Sequence, residues 1–232
     1  NMVVDVYVQM NMIKQATAFL LEILKFDRPH EGQLQTRLLE INLLYSPVQV
    51  ADSILEQKMF HHFDKQKIAN MCEKVGLHQR ALENYVDIND RKRVIVHTQY
   101  MNAEWLVNFF AELTLEDSLT LLRQLMSSNQ RQNLNIVIQV ATKYSELLEP
   151  TNLIAIFEEN RSYEGLFYYL GSIVDYSEEP EVVFKYIQAG VKIGQLGEVE
   201  RVTRESNIYP PEKTKEFLKE SRLQDQMPLI NV

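Results

Sequence analysis

Apolar residues recur at i, i+3, i+4 and i+7 along most of this chain, the spacing that lays one hydrophobic stripe along a helix of about 3.6 residues per turn. Ile13, Ala16, Phe19 or Leu20, Ile23 and Leu24 form one stripe, and Ile68, Met71, Cys72 and Val75 form another. Strand signals are weak. Neither Asn-Gly nor Asp-Gly occurs, and the richest β-branched run, Val94-Ile95-Val96, lies inside a helical pattern. The pattern predicts helices over 3–10, 12–26, 34–44, 48–57, 64–75, 78–87, 90–98, 103–111, 115–126, 131–147, 151–158, 162–174, 181–190, 195–205 and 211–219.

The punctuation agrees with that reading. Thr114 before Glu116 and Asp117 offers an N-cap followed by acids that complement the helix dipole, and Asp64 offers an N-cap for "KQKIANMCEKV". Pro150, Pro180 and Pro211 each precede or open a periodic stretch, where a missing backbone N–H costs nothing. Glu178, Glu179 and Glu181 around Pro180 then read as first-turn acids rather than as a catalytic carboxylate pair.

Most predicted connectors are a few residues long, so successive helices must fold back on one another. Gly76, in "EKVGLHQRALE", stops one helix and lets the next return, with the small Ala81 allowing close approach. Gly194 repeats the arrangement, and Asn11 takes the same left-handed role ahead of Ala16. These turns lie 65 and 118 residues apart, near multiples of the roughly 30-residue helical hairpin of repeat arrays. The expected fold is all-α, an α-solenoid of stacked antiparallel hairpins, running as a single continuous segment over 1–232. No strict tetratricopeptide or ankyrin signature is present.

Composition narrows the function classes. The 232 residues are 45% hydrophobic, enough to fill a core, and carry a net charge of −8 with a pI near 5.2. That balance argues against a dominant nucleic-acid or anionic-membrane surface. Cys72 has no intrachain disulfide partner, which points to a reducing compartment. No apolar run approaches the roughly 18 residues of a membrane span, and nothing at the start has the order of a signal peptide. The chain opens directly on a periodic run, so we expect an excised piece of a longer protein.

Chemistry finds little support. His61-His62-Phe63-Asp64 is the densest set of metal-ligand types, but adjacent histidines point about 100° apart on a helix, whereas helical chelation uses i and i+4. Cys72 lies on an apolar stripe, where a thiol packs rather than reacts. No GxSxG, GxxxxGK[ST] or GxGxxG motif occurs, and no cofactor is implied. Arg91-Lys92-Arg93 reads as a solvated helix face or a phosphate contact. Trp105 and the series Tyr163, Phe167, Tyr168 and Tyr169 are large anchors at helical spacing, for packing or for a partner. We expect no enzyme.

Longer stretches carry a resemblance. "QTRLLEINLL" (35–44), "VADSILEQKMFHHFD" (50–64), "IANMCEKVGLHQRALE" (68–83), "EWLVNFF" (104–110), "RQNLNIVIQVATKY" (131–144), "SYEGLFYYLGSIVDYSEEPEVVFKYIQA" (162–189) and "GQLGEVERVTRESNIYPPEKTKEFLKESRLQDQMPLI" (194–230) resemble, in order, the clathrin heavy-chain family. The resemblance implies the distal leg near the ankle, with most of one heavy-chain repeat over about 1–130 and its end and the next start over 131–232. It implies a scaffold segment of a polyhedral coat lattice in vesicle budding and endocytosis, on the cytosolic face of coated pits and vesicles. Its partners would be other heavy-chain legs, while light chains and adaptors bind the parent outside this segment. The parent would be a homotrimer and the isolated piece a monomer, without nucleic acid or direct membrane insertion. A heavy-chain-repeat subunit of a vacuolar sorting or tethering complex and a helical-repeat peptide-binding adaptor are the alternatives.

Overall fold

The structure, a computed structural model, describes residues 2–45 and 47–221, so the end of the last matched stretch, 222–230, lies outside the described residues. Among these residues the chain forms fifteen α-helices, three short 3-10 turns and no strand. They fall into two compact units, Asn1–Asn102 and Ala103–Val232. The first holds α1 (Met2–Gln9), α2 (Ile13–Ile23), α3 (Gly32–Leu44), α4 (Val48–Glu56), α5 (Lys65–Lys74), α6 (His78–Asn84) and α7 (Ile88–Ile95). The second holds α8 (Ala103–Phe109), α9 (Leu115–Lys143), α10 (Ser145–Leu148), α11 (Pro150–Glu159), α12 (Tyr163–Gly171), α13 (Pro180–Ile193), α14 (Leu196–Glu205) and α15 (Pro211–Glu220).

The helix starts follow local chemistry. Asp64 accepts from the Lys67 N–H at 3.0 Å and Thr114 from the Asp117 N–H at 3.2 Å, each satisfying an otherwise orphaned donor. Pro150, Pro180 and Pro211 each occupy a first helical position. Ends fall where another residue claims the backbone. The helix expected over 78–87 stops at Asn84 because Asp87 caps α7, accepting from the Asn89 N–H at 2.8 Å. The one expected over 12–26 stops at Ile23, before Asp27 at φ 46°. The two expected over 115–126 and 131–147 are joined as α9. Asn129 leaves helical geometry there (φ −156°, ψ 81°), and its Oδ1 accepts from the Gln132 N–H at 3.2 Å, restarting the helix.

Asn11, Gly76 and Gly194 sit between helices at φ 55°, 84° and 79°. At each, the following N–H reaches back five residues and its own N–H reaches back three: Met12 to Tyr7 and Asn11 to Val8, Leu77 to Cys72 and Gly76 to Glu73, Gln195 to Gly190 and Gly194 to Val191. This pair of bonds closes a helix around one left-handed residue. The same pair closes α4 at Lys58 (φ 49°) and α11 at Arg161 (φ 51°), where no glycine or asparagine marks it.

Within each unit helices pack on near neighbours in sequence: α3 meets α4 and α5, α4 meets α6, α9 meets α10, α11 and α12, and α13 meets α14 and α15. This is the contact pattern of a helical-repeat solenoid, in which each hairpin buries its apolar face against adjacent hairpins. Leu20, Leu38, Ile41, Ala69, Cys72 and Ala81 are fully buried in the first unit, and Leu122, Val140, Phe157, Tyr169 and Ile187 in the second. Each large side chain among them contributes about 1.5–3 kcal/mol of burial.

The ties between helices differ from unit to unit. In the first, the Arg80 side chain, 9% exposed, gives its Nε to Asp52 at 2.6 Å and its Nη1 to Glu83 at 3.1 Å. Arg93 spans to Glu73 through Nε at 2.8 Å and Nη2 at 2.9 Å, and the Tyr85 hydroxyl donates to Glu73 at 2.6 Å. Buried Thr17 and Asn42 join α2 to α3. In the second unit rings stack, Phe157 on Tyr169 at 5.9 Å and Phe167 on Tyr186 at 4.7 Å. Glycines there admit close approach. A Cβ at Gly165 would lie 2.7 Å from both Leu134 and Phe157, and one at Gly190 would lie 2.7 Å from Val199. Arg123 reaches Glu159 at 2.9 Å on the surface.

Candidate functional site

The aromatic series separates by helix geometry. Phe167 and Tyr169 on α12 point inward; Tyr169 is fully buried, and its hydroxyl lies 2.8 Å from Ser145 Oγ. Burial pushes the Tyr169 phenol up to about 12, and that of Tyr186 likewise to about 12. Tyr168, one residue along and so about 100° around the helix, is 52% exposed. Tyr163, at the start of α12, lies on the surface beneath Lys192 Nζ, 6.0 Å from its ring centre. Trp105 is half-buried on α8 and stacks on Phe109 at 5.3 Å. The structure therefore joins Phe167 and Tyr169 to a core of rings and leaves Tyr163, Tyr168 and Trp105 at separate places on the surface.

Tyr168 borders a concavity on this unit. Two hollows meet at Ile138 on the outer side of α9. One, of about 810 Å³, is lined by Gln130, Arg131, Leu134, Asn135, Ile138, Glu164 and Tyr168. The other, of about 400 Å³, is lined by Glu104, Val107, Asn108, Ile138, Gln139, Thr142 and Lys143. The α9 residues 131, 135, 138 and 142 follow one another at steps of three and four, which keeps them on one face. Leu134, Ile138 and Val107 give the groove an apolar floor, while amides and charges of both signs form its rim. An apolar floor inside a polar rim is the make-up common to protein contact surfaces.

The remaining candidates are absorbed by the fold. Cys72 is fully buried, and burial pushes its thiol up to about 12, so it carries no thiolate at neutral pH. His61 is exposed with Nδ1 2.6 Å from Asp27 Oδ2, and His62 is exposed with its N–H donating to Gln35 Oε1 at 2.9 Å. Among the described residues no three His, Cys, Asp or Glu side chains are placed to share a metal ion. Within the basic run, Arg91 Nε donates to the Tyr85 carbonyl at 2.8 Å and Arg93 holds Glu73 and Asp90, so two of its three cations tie helices together. The hydrogen bonds from Arg93 hold the Glu73 carboxyl down to about 2.

Sequence reading missed Arg80, whose three carboxylate neighbours are Asp52 and Glu56 from α4 and Glu83 from its own helix. A basic residue at a buried stripe position, next to Ala81 and Leu82, was the available signal. It also missed Gly165 and Gly190, which look like helix-weakening residues until the rings facing them are known.

Comparison with known proteins is consistent across the chain. The Clathrin family model, described as "Region in Clathrin and VPS", matches residues 1–134 and again 141–232. The chain is 57% identical over 232 residues to the clathrin heavy chain of Drosophila melanogaster, covering 100% of this chain and 14% of that protein. It is 54% identical over 232 residues to human clathrin heavy chain 2 and 49% over 233 residues to the clathrin heavy chain of Dictyostelium discoideum, with the same coverage. The chain thus spans about a seventh of the length of the curated relatives it matches.

Proposed function

This chain belongs to the clathrin family, and from that premise we propose that it is a scaffold segment of a heavy-chain leg, contributing stacked hairpins to a vesicle coat. The observation that carries the reading is 57% identity to a clathrin heavy chain over all 232 residues. The family description also covers VPS proteins, but the relatives matched along the whole chain are heavy chains, which favours the coat over a sorting or tethering complex.

The physical organisation supports the same role. Helices packed on near neighbours in sequence transmit force through repeated apolar contacts and leave the outer faces free to vary. A lattice that must come apart needs many modest contacts rather than one large apolar seal. The groove along α9, with its mixed-charge rim, suits a contact of that kind. We assign the segment to the distal leg near the ankle. Its working partners are other legs of the coat, on the cytosolic side of the membrane, and no described helix is long and apolar enough to cross that membrane.

The test is deletion of residues 64–98 from the full heavy chain. Adaptor-peptide binding, assigned to another part of the parent, is expected to stay at the parental level, while electron microscopy shows open or distorted assemblies. Closed cages of normal geometry from that deletion overturn the scaffold role.

A further inference from the structure

The geometry points to Tyr176 as a phosphoryl acceptor for a tyrosine kinase with a basic substrate cleft. At 73% exposure Tyr176 is more open than the other exposed tyrosines, Tyr45, Tyr100, Tyr163 and Tyr168. It also lies outside any helix, in the connector between Gly171 and Pro180, whereas Tyr163 and Tyr168 are held within α12. Acids flank it on both sides: Asp175 before it and Glu178, Glu179 and Glu181 after it, with no lysine or arginine between Arg161 and Lys185.

The backbone there suits docking in a cleft. Kinase substrates bind as short extended segments, so a tyrosine inside a helix must first unwind it. The Tyr176 N–H makes a long bond of 3.3 Å to the Ile173 carbonyl, which also accepts from the Ser177 N–H at 3.0 Å, so a single turn rather than a helix has to open. Beyond it Glu179 is already extended (φ −88°, ψ 115°), and Pro180 has no N–H to give up. Buried Ile173 and Val174 anchor the N-terminal end of the connector, so presenting Tyr176 leaves the core undisturbed.

In the reaction the phenolic oxygen attacks the γ-phosphorus of ATP. The new O–P bond replaces the bridging bond to ADP, which leaves, and the phenolic proton passes to the kinase's base. The added dianion would sit one residue from Asp175, which pairs with Arg201 at 3.2 Å, while Arg201 also holds Glu198 and Glu205 at 3.0 Å. A phosphate competes well for a guanidinium held by carboxylates. Modification therefore acts on the tie between this connector and α14.

The experiment incubates the folded 232-residue chain with ATP, magnesium and a purified soluble tyrosine kinase that prefers acidic substrates, with an acidic control peptide in the same tube. Sites are mapped by mass spectrometry. We expect most of the phosphate on Tyr176, its loss in Tyr176→Phe, and a rate about tenfold lower in the triple variant Asp175→Asn, Glu178→Gln, Glu179→Gln, since rim charges govern encounter. A phosphorylated control peptide with an unmodified Tyr176 overturns the assignment. So does phosphate spread evenly over Tyr45, Tyr100 and Tyr168, or a triple variant modified as fast as the parent.

Discussion

In the Asn1–Asn102 unit the helices are tied by charge, with Arg80 among Asp52, Glu56 and Glu83, and Arg93 between Glu73 and Asp90. In the Ala103–Val232 unit ion pairs such as Arg123–Glu159 and Arg201–Asp175 also join neighbouring elements, but they lie toward the surface, and the buried ties are stacked rings with glycines pressed against them, Phe157 on Tyr169 beside Gly165 and Phe167 on Tyr186 beside Gly190. One helical-repeat plan thus tolerates two ways of fastening neighbours. Charge pairs specify partners and answer to pH and salt. Ring and glycine contacts answer to volume and are indifferent to both.

Arg80→Ala is expected to have the largest effect. Removing a buried guanidinium leaves Glu83 facing Asp52 without a counter-charge, and we expect a loss of about 3 kcal/mol, the lower end for breaking a buried pair because Asp52 and Glu56 are partly solvated. Hydrogen exchange should report it in α4 to α6 before α11 to α13. Next comes Gly165→Ala, whose methyl group would lie 2.7 Å from the fully buried Phe157 ring and from Leu134. A cost of about 2 kcal/mol, read as faster exchange in α11 and α12 and unaffected by salt, is the expected outcome. Protection unchanged by either substitution would undo the distinction.

The smallest effect sharpens the contrast by pH. Glu73 is held down to about 2 from an ordinary 4.5, chiefly by the Arg93 hydrogen bonds, so its contribution is present above pH 4.5 and lost as pH falls toward 2. His78, stacked at 4.4 Å on His97 and at 5.3 Å on Tyr100, is lowered by burial and then by the His97 charge, with Glu73 opposing. Its contribution is likewise present above about pH 6.5 and lost in acid. Glu83, raised by burial, has the opposite sign and offsets part of the acid loss. Unfolding free energies from denaturant titrations at pH 7 to pH 3 should therefore fall less in Glu73→Gln than in the parent, by about 1 kcal/mol after screening of the half-exposed Arg93. A parallel pair of curves removes the Glu73 term.

Much of the helical plan was legible because it is local. Thr114, Asp64 and the three helix-opening prolines act on backbone within a turn of themselves, so their meaning is carried by neighbours in sequence. The turns at Lys58 and Arg161 were not legible, since their left-handed backbone is imposed by the packing of the helices on either side rather than by a permissive residue. The aromatic series shows the same limit. Spacing places Phe167, Tyr168 and Tyr169 on a helix, but which ring faces inward depends on Phe157 and Tyr186, supplied by other helices. The α9 groove is a property of three helices together, and no single stretch of sequence announces it.

The packing of helices on near neighbours in sequence also bears on how the chain comes into being. No side-chain tie described above reaches further along the sequence than the 36 residues from Arg123 to Glu159. A hairpin leaving the ribosome finds the surface it needs already emerged, made a few seconds earlier at about 5–20 residues per second. Loop closure is short and contact order low, so consolidation can follow synthesis step by step. A very long leg built this way meets no folding problem larger than that of its next hairpin.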